Sequence, residues 1–114
     1  MDGLCSLIIV SYNTGEEIAQ CLDSVYAQRG VPYEVIVVDN ASRDTTVDVI
    51  KERYPSVKLL RNEENLGFSK AVNQGIAVAR GARIALLNDD VVLKDEFLRE
   101  AIKALDSDRS LSAV

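Results

Sequence analysis

Apolar runs without a helical repeat alternate along this chain with stripes of helical period. LCSLIIV, residues 4–10, is apolar on successive positions and rich in β-branched side chains, which reads as a strand buried on both faces. At SYNTGEE the pattern switches: Thr14 and Glu17 have capping-box spacing, and Ile18, Cys21, Leu22 and Val25 share one helix face. Gly30 and Pro32 end that unit. YEVIVV, residues 33–38, is a second buried strand closed by DNASRD, and Val47, Ile50 and Tyr54 mark a second helix that Pro55 stops. SVKLLRN, residues 56–62, is a third and shorter strand. EENLG then leads into a third helix over 68–80, with Ala71, Val72, Gly75, Ile76 and Ala79 inward and Gly81 as its C-terminal cap. ARIALL, residues 82–87, is a fourth strand. Asp95 is placed to cap a fourth helix with the stripe Phe97, Leu98, Ala101, Ile102 and Leu105, and SLSAV, residues 110–114, reads as the start of a fifth strand.

Strict alternation of strands and helices predicts an α/β fold: a mainly parallel, Rossmann-like sheet with helices on both faces and right-handed crossovers. No repeat, linker or low-complexity segment divides residues 1–114, so one domain is expected. A chain that stops inside a strand reads as part of a longer domain, truncated at about its fifth strand.

Ligands of open α/β sheets sit beyond the carboxyl ends of the strands. Three strands here end in polar clusters: Ser11, Tyr12 and Asn13; Asp39, Asn40 and Ser42; Asn88, Asp89 and Asp90. Parallel strands bring them to one edge of the sheet. Turn and cap chemistry explains part of this without any ligand: Thr14, Ser42 and Asp44 read as helix caps, and Glu63 and Glu64 as a solvated loop. Tyr12 is either a half-buried tyrosine or a platform on which a base stacks. Asp39 and Asp90 each follow an apolar strand, where an unpaired carboxylate is costly. Asp39 can accept from a nucleobase or ribose, and Asp90 can hold a hard divalent cation.

Composition narrows the chemistry. The net charge is −5 and no Lys/Arg cluster occurs, which argues against nucleic acid as a partner. There is no histidine, so Ser-His and Cys-His nucleophile systems are excluded. Cys5 and Cys21 show no metal or redox spacing and read as reduced core thiols, consistent with a reducing compartment. The N-terminus lacks the basic region of a signal peptide, and its apolar run is too short to span a bilayer. Neither the dinucleotide glycine fingerprint nor a P-loop is present.

Four segments, SLIIVSYN, EVIVVDNASRDTT, RNEENLGFSKAVNQG and IALLNDDVVL, together resemble the inverting GT-A glycosyltransferases, in particular the large bacterial cell-surface group with rhamnosyltransferase-like members. The resemblance covers nearly the whole chain and implies a nucleotide-sugar-binding N-terminal part of a GT-A domain. It implies that Val10, Ser11 and Tyr12 line a nucleotide pocket, and that Asp39 and Asn40 contact base or ribose. Many relatives carry two acids there, so Asn40 departs from the pattern. Asn65, Gly67 and Asn73 would pass beside the nucleotide-sugar. Asn88, Asp89 and Asp90 occupy the DXD position, with Asp90 on Mg2+ or Mn2+, Asn88 toward the donor and Asp89 left for the ribose, a turn or an amide. The donor would be a UDP- or dTDP-sugar and the acceptor a hydroxyl of a glycan or lipid-linked species in surface polysaccharide synthesis. The base would lie beyond residue 114, leaving this chain inactive alone, and the site would be cytoplasmic, at the inner membrane face in the full-length protein. An exposed sheet edge would favour self-association. The alternatives are a non-catalytic nucleotide-binding or interaction module of the same fold, and a signalling receiver-like domain. The receiver reading is disfavoured because the first strand ends in Ser-Tyr-Asn rather than acids.

Overall fold

The computed structural model describes residues 3–107. Its elements in chain order are β1 (Cys5–Ser11), α1 (Gly15–Tyr26), β2 (Tyr33–Asp39), α2 (Thr46–Arg53), β3 (Lys58–Arg61), α3 (Phe68–Val78), β4 (Arg83–Asn88) and α4 (Phe97–Ser107). The expected fifth strand lies outside the described residues, as does the side chain of Leu105.

All four strands pair in parallel in the order β3-β2-β1-β4. Successive side chains of a strand point to opposite faces, which explains the unbroken apolar runs. Leu7, Ile9, Val35, Val37, Ala85 and Leu87 face one side, where they pack with Ile18, Leu22 and Val25 of α1, Ile50 of α2 and Leu98 and Ile102 of α4. Ile8, Ile36 and Val38 face the other, against Ala71 of α3. The α/β expectation with helices on both faces therefore holds.

Several local expectations are corrected. Thr14 precedes α1 but makes no side-chain cap hydrogen bond, so the Thr14–Glu17 capping box does not form. Asp44 Oδ2 instead accepts from the Gly15 N–H at 3.2 Å, a tertiary substitute for the cap. Ile76 is exposed, because α3 covers the centre of the sheet and leaves that position facing outward. Gly81 does not cap α3, which ends at Val78 with extended Ala79 after it. Gly81 instead lies so close to β1 that a Cβ there would fall 2.7 Å from the Leu4 carbonyl oxygen. Asp95 does not cap α4: the helix starts at Phe97, and the Leu98 N–H donates to the buried Gln28 Oε1 at 2.8 Å. Long-range contacts fix these boundaries, so local spacing misplaces them.

Candidate functional site

The carboxyl ends of β1, β2 and β4 lie side by side: Ser11 pairs with Asp39, and Val10 with Val38 and Asn88. Asp39 is 1% exposed. Its Oδ1 accepts from Ser11 Oγ at 2.7 Å and Ser42 Oγ at 2.6 Å, and its Oδ2 from the Ser42 N–H at 2.9 Å. A carboxylate offers about four lone-pair positions, so one on Oδ2 is left over. Ser42, expected as a helix cap, is instead a partner of Asp39, and its Oγ also accepts from the Asn13 N–H at 2.8 Å. Asp44 does receive the N–H of Thr46, the first residue of α2, at 2.9 Å.

The loops after β1 and β2 are sewn together. Asn13 Oδ1 accepts from the Arg43 N–H at 2.8 Å, and Thr46 Oγ1 from the Thr14 N–H at 2.8 Å. Asn13 and Ala41 both hold positive φ, 51° and 67°, a left-handed backbone that Asn tolerates better than Ala. The Ala41 conformation stands only because its neighbours are bonded on either side.

Beside these loops opens a cleft of about 850 Å³. Tyr12, 48% exposed, forms one wall with Ala41, Ser42 and Arg43. Arg61, Asn62, Glu63, Glu64 and Asn65 form the other. Of the residues proposed from sequence, Ser11, Tyr12, Asp39 and Asn65 thus converge on or directly behind this cleft. Val10 is partly buried against the α3 side of the sheet. Asn40 is buried, and its amide bonds within the protein at both ends: Nδ2 to the Gly67 carbonyl, Oδ1 to Asn62 and Leu66. Gly67, with φ 86°, enters α3, and Asn65 Oδ1 accepts its N–H at 2.9 Å.

Asn88 ends β4, and Asp89 and Asp90 form a turn closed by the Val91 N–H on the Asn88 carbonyl at 3.3 Å. The strand does not continue through the acids, so face alternation does not assign their directions. Asp89 Oδ2 accepts from the Tyr12 N–H at 3.3 Å, which ties the acidic turn to the Tyr12 wall of the cleft. Asp90 is exposed. Beneath the turn lies the buried thiol of Cys21, pushed up to about 11 by burial first and then by the Asp89 and Asp90 carboxylates. Among the described residues no group of three or more His, Cys, Asp and Glu side chains stands together as a metal cage. The turn does offer two carboxylates and an amide oxygen, the hard donors that Mg2+ and Mn2+ take when phosphate oxygens and water complete the shell.

Sequence reasoning missed Arg43, Arg61 and Asn62 as cleft residues and took Glu63 and Glu64 for plain solvated loop. The signal was available: Arg61 ends β3 and the others follow β2 or β3, at the same edge of the sheet.

Comparison with known proteins agrees with this architecture. The family described as Glycosyl transferase family 2 matches residues 6–114. Succinoglycan biosynthesis protein ExoO of Rhizobium meliloti (strain 1021) is 35% identical over 103 residues, 90% of this chain and 30% of that protein. Among solved structures, S. aureus TarS in complex with UDP-GlcNAc superposes with a TM-score of 0.79 at 28% identity, over 90% of this chain and 31% of that one. The mannosyltransferase PcManGT from Pyrobaculum calidifontis, in complex with GDP-Man and Mn2+, gives 0.82 at 29% identity, over 89% and 32%. The chain spans about 30% of the length of the curated relative. Its sheet is that of the GT-A glycosyltransferases, and the chain belongs to glycosyl transferase family 2.

Proposed function

We propose that this chain is the donor-binding part of a glycosyltransferase that moves a hexosyl unit from a nucleoside-diphosphate sugar to an acceptor hydroxyl of a glycan or lipid-linked species. The observation that carries the reading is the juxtaposition at one sheet edge of the Asp39 corner, the Tyr12 cleft and the acidic turn tied to it. The nucleoside would lie between Tyr12 and the 63–65 loop. Asp39 would offer its remaining Oδ2 lone pair to base or ribose, behind Val10 and Ser11. Asn40, Asn65 and Gly67 would shape the far wall. The diphosphate would extend toward Asn88 and Asp89, where Asp90 would hold Mg2+ or Mn2+. Bound there, the cation would act as a Lewis acid and stabilise the charge of the leaving nucleoside diphosphate.

The reaction would be a single displacement with inversion: the acceptor oxygen bonds to the anomeric carbon as the bond to the diphosphate oxygen breaks. The hydroxyl proton would go to a base in the portion of the relatives that this chain does not match, so residues 1–114 would bind donor but not turn over. TarS with UDP-GlcNAc and PcManGT with GDP-Man and Mn2+ support a nucleotide-sugar and a divalent cation. ExoO, named for succinoglycan biosynthesis, supports polysaccharide assembly. Among the described residues no helix is long and apolar enough to cross a membrane. The site would be cytoplasmic and would reach its acceptor at the inner membrane face. The β4 edge, beyond which no strand lies among the described residues, would let the isolated chain self-associate.

Calorimetric titration with UDP, dTDP and GDP, with and without Mn2+, tests this reading. Mn2+-dependent binding that disappears in Asp90→Ala is expected. Binding that survives the substitution removes Asp90 from the site, and absence of any binding favours a non-catalytic module.

A further inference from the structure

Three amide side chains, from just after β2, just after β3 and from α3, interlock at the cleft wall and behind it. Asn40, 3% exposed, follows β2. Its Oδ1 accepts from Asn62 Nδ2 at 2.9 Å and from the Leu66 N–H at 3.3 Å, and its Nδ2 donates to the Gly67 carbonyl at 3.2 Å. Asn62 exchanges two further bonds with Gln74 on α3: Nδ2 donates to Oε1 at 2.8 Å, and Oδ1 accepts from Nε2 at 2.8 Å. The Asn62 N–H also bonds the Asp39 carbonyl at 2.9 Å. One side chain, Asn40 just after β2, therefore grips the β3–α3 loop at both ends. Glu63, Glu64 and Asn65 lie between the grips, exposed along the cleft.

Only an amide does this at position 40. A carboxylate could accept from Asn62 and Leu66, but it would set a lone pair against the Gly67 carbonyl. The amide at position 40 thus has a physical reason: it is a donor as well as an acceptor.

We infer that Asn40, Asn62 and Gln74 form a positioning latch that sets the distance of the 63–65 loop from the Tyr12 wall, and so the width of the nucleotide cleft. Gln74 acts at a remove, since it touches Asn62 and does not line the cleft. The inference rests on the donor-binding reading, but its geometry is testable apart from it.

The test uses the 114-residue chain with Gln74→Ala, a mild change on a half-buried helix position, and Asn40→Asp. Each is titrated with UDP and with GDP in Mn2+, and backbone amide exchange is followed across the chain. Two lost hydrogen bonds to the anchor predict about tenfold weaker nucleotide binding in Gln74→Ala, with exchange accelerated at 63–67 and unchanged in β1. Unchanged loop exchange in both variants overturns the latch. So does acceleration spread evenly through β1 and β2, which marks a purely structural network. If the wild-type chain takes up neither nucleotide, the donor-binding reading fails, and exchange alone then decides: acceleration confined to 63–67 supports the latch, and any other pattern overturns it.

Discussion

Asp39 concentrates the local chemistry of the site. It is buried, yet two hydroxyls and one backbone N–H solvate it. Hydrogen bonds to a charged group are worth roughly 1.5–3 kcal/mol each. Ser11→Ala should therefore lower unfolding stability by about that amount in urea, although it deletes a single small atom. A loss within a few tenths of a kcal/mol of zero would mean that water replaces the hydroxyl. Asp39 also shows how far a sequence can be read at this scale. That an acid directly after an apolar strand needs partners follows from desolvation alone. That Ser42 would be a partner, rather than a cap, does not follow, because Ser before a helix has the same spacing in both roles. Asn40 is the sharper case: its residue type looked like a lost charge, and only the position of the Gly67 carbonyl shows what the amide donates to.

The helices show which forces set element boundaries. Gly75 lies in the middle of α3, where a glycine costs about 1 kcal/mol against alanine in helix propensity. Gly75→Ala would regain that, but the new Cβ would lie 2.7 Å from Cγ2 of the buried, β-branched Ile8. Overpacking of this kind costs about 1–3 kcal/mol, so the packing term wins and thermal unfolding should shift downward. A rise in Tm would show that α3 can lift off β1 without cost. On the other face, the Tyr54 hydroxyl just after α2 lies 2.9 Å from the Ala19 carbonyl oxygen and 2.6 Å from Asp23 Oδ1, which share its single proton and dock α2 on α1. Burial, then the Asp23 bond and charge, push Tyr54 up to about 12 from 10.0. The phenol is harder to ionise folded than unfolded, so its contribution is full below pH 10 and is lost as pH rises toward 12. Tyr26 and Tyr33 are raised as well, mainly by burial, and add to that decline. Tyr54→Phe should be less stable at pH 8 and should lose stability less steeply above pH 10 than wild type, as urea midpoints across that range would record. The apolar periods that predicted α1, α2 and the strands were read correctly because they report the buried face. The capping box at Thr14 and the cap at Asp95 were not, because Asp44 and Gln28 reach in from other elements and outcompete local partners.

The sheet of the whole molecule is asymmetric. β4 is outermost, and among the described residues no strand lies on its far side. The helix on the second face, α3, packs over the central strands, so Leu86 of β4 is left 40% exposed. Val92, just beyond the acidic turn, is 61% exposed, and Phe97 at the start of α4 is exposed as well. A strand edge with no neighbouring strand, beside exposed apolar side chains, is a template for another strand. The relatives have some two thirds of their length outside the match, more than enough to cover such an edge. For this chain alone, a second copy would be the cover. The net charge of −5 opposes that encounter, and the opposition is screened over about 8 Å at physiological salt. Light scattering should thus show a mass that rises with protein concentration and rises further with added salt. Leu86→Lys places a charge on the edge and should hold the chain monomeric while leaving its unfolding cooperative. A single monomeric mass across a wide range of concentration and salt would show that the edge is already blunted. An associating Leu86→Lys variant would move the contact away from β4, toward the exposed Phe68 and Ile76 on α3.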